Sequence, residues 1–171
     1  PQSIGLTVSA NVVTVPAGTY SLRWRAPGYN CNRFTSRLVY STSSTFASDV
    51  NYVIGSSGYS QEGENPDVSE TFGVAASLTF SATTYVKVEQ YSDAGESGVT
   101  GLGVDSGISG TDSIYTTLVI EDLATAVKDN ATYVEGTTKI AILYDAKSQN
   151  TGGGSATAGA WNTRVLNTKV D

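Results

Sequence analysis

An alternation of apolar and polar residues with a period of two runs through most of this chain, and it constrains the fold more than any other feature. From Tyr20 to Ala26, one face would carry Tyr20, Leu22, Trp24 and Ala26, and the other Ser21, Arg23 and Arg25. Successive side chains on a strand point to opposite faces, so this is the pattern of a strand with one buried side. Thr84 to Gln90 reads the same way, with Val86 and Val88 on the face of Thr84 and Gln90, and Tyr85, Lys87 and Glu89 opposite. In Ile114 to Ile120 the apolar set is Ile114, Leu118 and Ile120. Further strands are expected at Ile4 to Ser9, Val12 to Val15, Arg37 to Ser41, Val50 to Ile54, Ser69 to Phe80, Lys139 to Tyr144 and Trp161 to Leu166. Turn signals separate them at Pro16 to Gly18, Pro27-Gly28, Gly55 to Gly58, Gly63 to Pro66 and Gly95 to Gly110. About ten short strands in succession predict an antiparallel sandwich or barrel, because parallel strands need helical crossovers. Only Leu123 to Lys128 competes for helix, and Thr125 and Val127 dilute it, so a loop or short extension is expected there.

Composition narrows the chemistry. The 171 residues suit one domain, and 15% charged residues with 18 Gly and 10 Tyr fit a turn-rich β protein. There is no His and a single cysteine, Cys31. A Ser-His-Asp or Cys-His nucleophile cannot be assembled within the chain, and neither can an ordinary structural zinc site or an intrachain disulfide. A net charge of −6 argues against partners bound by phosphate neutralisation, so neither nucleic acid nor an anionic membrane is expected. No apolar run approaches the ~18 residues of a spanning helix, and the opening stretch does not read as a secretory signal. The chain begins at Pro1 and contains no Met, which leaves an excised initiator and a cut from a longer polypeptide both open.

Organisation changes in the last quarter. Residues 1–127 read as a core, and 128–171 as a C-terminal extension in which a Gly-rich linker (148–158) joins two apolar segments. Ile140, Ile142 and Tyr144 form an apolar run without a neighbouring partner, and Trp161, Arg164 and Leu166 follow the linker. A Trp-bearing tail left undocked would expose costly apolar area, so these six residues are the expected tail-docking or inter-subunit contacts.

Other motifs favour structural readings. Gly101 to Gly107 superficially resembles a phosphate-cradling turn, but the spacing is wrong and no helix follows. Glu62, Glu64, Asp67 and Glu70 lack the spacing of a Ca²⁺ loop and read as solvated. Glu89 is the one suggestive carboxylate for glycoside chemistry, yet alternating Lys87 and Glu89 read better as an exposed face. Cys31 beside Arg33 reads as an incidental thiol, and Asn130-Ala131-Thr132 is a sequon relevant only to a secreted eukaryotic chain.

Several ordered motifs carry a family resemblance. Val12 to Tyr20, Trp24 to Tyr29, Asn32 to Leu38, Ile54 to Ser60 and Gly101 to Val104 together resemble a jelly-roll domain of tailed-bacteriophage virion proteins. That domain is in turn similar to the trimeric jelly roll of the tumour necrosis factor and complement globular-head group. Lys139 to Gly154 and Gly159 to Thr168 resemble the segment that precedes the first of these motifs in the family. Here it follows the domain, so the resemblance implies a circular permutation or a cut across a repeating array. The tail strands would then complete the sheets of their own chain, or of a neighbour by strand exchange.

The expected fold is all-β, an antiparallel jelly-roll sandwich with a strand-bearing C-terminal extension. The expected function is non-enzymatic: a virion structural subunit of a fibre, appendage or capsid decoration. It would need no cofactor, and its partners would be its own copies, as a trimer or head to tail, and other virion proteins. The alternative is an adhesin whose loops at Ser41 to Asp49, Ser56 to Asp67 and Ser92 to Gly110 contact a host-surface glycan or receptor. A carbohydrate-active enzyme stands last.

Overall fold

The computed structural model describes residues 4–61, 63, 67–95, 100–123 and 139–170. Every regular element among them is a strand: β1 (Thr7–Ser9), β2 (Val12–Val15), β3 (Gly18–Tyr29), β4 (Asn32–Ser41), β5 (Asn51–Ser60), β6 (Val68–Phe80), β7 (Thr84–Ser92), β8 (Ser113–Asp122), β9 (Lys139–Lys147), β10 (Trp161–Thr163) and β11 (Thr168–Val170). They form two antiparallel sheets packed as a sandwich. The first runs β1-β2-β7-β4-β5, with β10 also paired to β7, and the second runs β11-β9-β8-β3-β6.

The wiring is that of a jelly roll. Antiparallel pairs nest outward from the β4–β5 hairpin to β3–β6 and then β2–β7, changing sheet at each step. The next pair outward is β8 with β9, so a strand from the far end of the chain takes the place beside β8. Strands β10 and β11 likewise pair with β7 and β9 of the same chain. Residues 139–170 thus contribute to both sheets.

Alternation decides which side chains face the interior. Tyr20, Leu22, Trp24 and Ala26 are all buried, as the period of two predicts, and they pack with Val13, Val15, Leu38, Val86, Val88, Leu118, Ile120, Leu143 and Leu166. Each methylene moved out of water contributes ~0.8 kcal/mol, so this set is the main favourable term in folding. The Trp24 indole donates to Ser36 Oγ at 3.0 Å and lies against Gly73, its cross-strand neighbour. A Cβ built on Gly73 would sit 1.9 Å from the indole, so no larger residue fits there without displacing the ring.

The structure corrects several expectations. Ile114 is exposed, not grouped with Leu118 and Ile120, because a register shift between Ile114 and Thr117 turns Tyr115 and Thr116 inward instead. Pro27-Gly28 and Gly55 to Gly58 lie inside strands β3 and β5. Pro27 is tolerated because β8 pairs only with residues 20–25 of β3, so no strand ladder on that side needs an amide from Pro27. A Cβ on Gly55 would meet the Phe72 carbonyl oxygen at 2.6 Å, so glycine there permits the close corner between β5 and β6. Trp161 to Leu166 is not one strand: β10 ends at Thr163, and Leu166 turns into the core.

Candidate functional site

Two outer sheet faces and one buried hub hold most of the described residues singled out from sequence. Arg164 is the hub. Fully buried, it donates from Nε to Thr116 Oγ1 (2.6 Å), from Nη1 to Pro27 O (3.0 Å) and Gln90 Oε1 (3.1 Å), and from Nη2 to Leu102 O (2.6 Å). Burial pushes the guanidinium down to about 9, opposed by the Asp145 carboxylate and the Cys31 thiol, so it still carries its charge at neutral pH. Asp145 itself is buried and paired to Lys147 at 2.6 Å. All four acceptors of Arg164 belong to the same chain.

Around this hub the Gly-rich segments are held in place. The amides of Leu102 and Gly103 donate to Gly154 O and Thr100 O, both at 2.8 Å, and the Gly153 amide donates to Gly103 O at 2.8 Å. A phosphate-cradling role for 101–107 finds these two donors already engaged. The Gly-rich stretch 148–158 is not a free linker either: Gly152, Gly153 and Ala156 are buried, and a Cβ on Gly153 would lie 2.4 Å from Leu102 O. Its glycines permit close approach of two backbones. Asp105 fastens the same region, accepting from Ser113 Oγ (2.6 Å) and from the Asn150 and Gly107 amides (both 3.1 Å), which lowers its carboxyl below the ordinary range. Cys31 is buried, and its thiol lies 3.4 Å from Gly101 O as a hydrogen-bond donor.

The outer face of the β11-β9-β8-β3-β6 sheet sets exposed apolar side chains around two ion pairs. Registers align Val170, Ile142, Val119, Arg23 and Val74 in one row, with Tyr144, Thr117, Arg25 and Phe72 in the next. Phe72 is 56% exposed, Val74 59%, Ile140 43% and Ile142 39%. A shallow groove of about 500 Å³ runs between Arg23, Arg25, Thr117, Val119, Ile140 and Ile142. Charges on this face balance, since Arg23 pairs with Glu121 (3.6 Å) and Arg25 with Glu70 (3.1 Å). Of the sequence-predicted contacts, Ile140 and Ile142 lie here, with Tyr144 half-buried in the same sheet.

The outer face of the other sheet carries a charged and aromatic cluster. Glu89 is not an exposed residue of a solvated face. It is buried, accepting from Arg37 Nε (2.9 Å) and Nη2 (2.7 Å), while its other oxygen pairs with Lys87 Nζ (2.7 Å). The Arg37 guanidinium stacks 3.8 Å from the Trp161 ring centroid and 5.2 Å from that of Tyr52. Trp161 packs against Tyr91, with centroids 5.5 Å apart, and Lys87 lies over Phe46 at 4.3 Å. Strand β10 supplies Trp161 from 70 residues beyond Tyr91, which a local pattern around Glu89 does not reveal. Further along this face Arg33, Thr35, Ser57, Tyr91 and Asp93 line a groove of about 320 Å³, floored by Phe34 and Gly58.

Other expectations are placed as follows. Glu62, Glu64, Asn130 and the segment after Leu123 lie outside the described residues. Asp67 accepts from the Gln61 amide, and Glu70 is held by Arg25. Among the described residues no group of three or more His, Cys, Asp or Glu side chains is placed to hold a metal ion. Compared with family models, curated proteins and solved structures, the chain gives no match.

Proposed function

We propose that this chain is a non-enzymatic structural subunit that assembles with further copies of itself through the outer face of the β11-β9-β8-β3-β6 sheet. The observation that carries the reading is the row Val170, Ile142, half-buried Val119 and, beyond Arg23, Val74, with Phe72 and Ile140 beside it, gathered on one sheet face. Large apolar side chains gathered on one exposed sheet face mark an interaction surface rather than ordinary scattered exposure. Strand spacing and length make the face roughly 20 Å by 30–40 Å, or about 600–800 Å² per copy. That approaches the ~800 Å² per partner of a standard stable interface.

A second copy is the occupant that the charges favour. The chain carries −6 overall, so two copies repel at most orientations, but on this face Arg23 and Arg25 are matched by Glu121 and Glu70. Like faces brought together meet no net charge and exchange ion-pair partners across the contact. The resemblance of Val12 to Tyr20, Trp24 to Tyr29, Asn32 to Leu38, Ile54 to Ser60 and Gly101 to Val104 to phage virion jelly rolls supports a place in a virion, as a fibre, appendage or decoration subunit.

Light scattering on the purified chain tests this. A dimer or trimer is expected at micromolar concentration, reduced to monomer by Ile142→Lys with Val74→Lys, whose side chains point outward and leave the core intact. A wild-type chain that stays monomeric at hundreds of micromolar overturns the assembly reading.

A further inference from the structure

We propose that the groove between Arg33, Asp93 and Tyr91 is a binding site for a neutral saccharide, a mono- or disaccharide unit stacked on the Tyr91 ring. It lies on the opposite face of the sandwich from the assembly surface and does not depend on it. Three observations meet there.

The first is an exposed ring on a braced mount. Tyr91 is 37% exposed, lines the groove, and is backed by Trp161 at 5.5 Å. Trp161 is itself fixed beneath the Arg37 guanidinium, which Glu89 holds through Nε and Nη2. An aromatic surface held still in this way loses little entropy on binding, and a sugar offers it a matching apolar face of ring C–H groups.

The second is a pair of uncommitted polar groups. Among the described residues neither the Arg33 guanidinium nor the Asp93 carboxylate has a side-chain partner, although the other strand arginines, Arg23, Arg25 and Arg37, are all ion-paired. Arg33 donates only and Asp93 accepts only. A vicinal diol both accepts and donates, so one sugar edge satisfies both groups at once.

The third is size and charge. About 320 Å³ lies at the small end of ligand sites, which suits a mono- or disaccharide. The charged residues lining the groove, Arg33 and Asp93, cancel, so it offers no net positive charge to phosphate and suits a neutral ligand. The site sits on strands β4, β5 and β7, with Asp93 one residue beyond β7 and its amide donating to Arg33 O at 2.8 Å, so it is preformed.

Saturation-transfer NMR on the full chain tests the proposal, with methyl glycosides of glucose, galactose, mannose and N-acetylglucosamine, and with lactose and cellobiose, as probes. At least one probe is expected to receive saturation at its ring C–H protons, with millimolar affinity. Tyr91→Ala is expected to weaken that probe at least tenfold, and Arg33→Ala and Asp93→Ala several-fold each. Tyr91→Phe, which keeps the ring, and Phe72→Ala, on the opposite face of the sandwich, should retain binding. The proposal is overturned if no probe receives saturation, or if Tyr91→Ala, folded by circular dichroism, binds as the wild type does. Both outcomes are independent of whether the chain self-assembles.

Discussion

Arg164 Nη2 donates to the carbonyl oxygen of Leu102 at 2.6 Å, joining the last part of the chain to a loop 62 residues earlier, deep in the protein. The same guanidinium reaches β3, β7 and β8 through Pro27, Gln90 and Thr116. Arg164→Ala leaves these acceptors buried without a donor and is expected to destabilise by about 3–5 kcal/mol in urea titrations. Arg164→Lys should recover only part, because an ammonium cannot reproduce the planar fork. A loss under about 1 kcal/mol for the alanine variant would show that the hub contributes little.

Ending the chain at Asn150 removes Arg164, Leu166, β10 and β11 together. Val88 O and Tyr144 O lose the Arg164 and Asn167 amides, and the core loses Leu166. The truncated chain is expected to lack a cooperative thermal transition. Normal folding would make the tail an accessory.

Gly73→Ala tests the Trp24 contact. The ring must leave its place above β6 or the strand must move, since the new Cβ would stand 1.9 Å from the indole. Overpacking of this kind costs about 1–3 kcal/mol, with about 1 kcal/mol more if the bond to Ser36 is lost. Denaturation midpoints and a change in tryptophan emission report it. An unchanged midpoint would contradict this packing.

Much of the fold is legible in sequence because period-two alternation is a local signal. The Tyr20 to Ala26 strand and its two faces follow from residues within one stretch. What alternation cannot carry is a register slip. The shift between Ile114 and Thr117 exposes Ile114 and buries Tyr115, and nothing in that stretch announces it. Glycine is ambiguous for the same reason. Gly55 and Gly58 look like turn signals and Gly153 like part of a linker, but each is needed where another chain segment or ring comes within contact distance. The cluster at Glu89 depends on Arg37, Lys87 and Trp161 from three strands, a juxtaposition that only the topology supplies. Arg33, Tyr91 and Asp93 were invisible as a group for that reason, since β4 and β7 are adjacent in the sheet but far apart in sequence.

The Asp105 carboxyl lies below its ordinary value chiefly because Ser113 Oγ and then the Asn150 amide donate to it. A depressed folded value means that its contribution is present above the unfolded value of about 3.9 and is lost as pH falls through the folded one. The Asn150 amide should therefore lose hydrogen-exchange protection, relative to the rest of the fold, as pH drops below about 4 and through the folded value. Asp105→Asn is expected to loosen that amide at neutral pH and to remove the acid dependence. If the variant amide is as protected as the wild type at every pH, the carboxylate does not hold the 148–158 segment.

Glu89 and Arg37 are coupled by two charge-assisted bonds, at 2.9 and 2.7 Å, on a face where Arg37 retains 20% of its side-chain exposure and Glu89 7%. Partial exposure screens the pair, so the cost of breaking it falls below that of a fully buried one. Glu89→Gln leaves Arg37 and Lys87 as neighbouring cations with a neutral acceptor and is expected to destabilise by about 2 kcal/mol. Arg37→Met keeps the aliphatic stem on Trp161 but orphans the carboxylate, and should cost a similar amount. Because each single change damages the same interaction, the double variant should be less destabilised than the sum, with a coupling of about 1–2 kcal/mol. Tryptophan emission separates local from global effects, since Trp161 alone of the two tryptophans touches Arg37, while Trp24 is sealed in the core. Additivity within about 0.5 kcal/mol would mean that the pair is held by the sheet and does not itself stabilise it. Strong coupling with altered Trp161 emission would place Glu89 at the base of the stack that carries Tyr91.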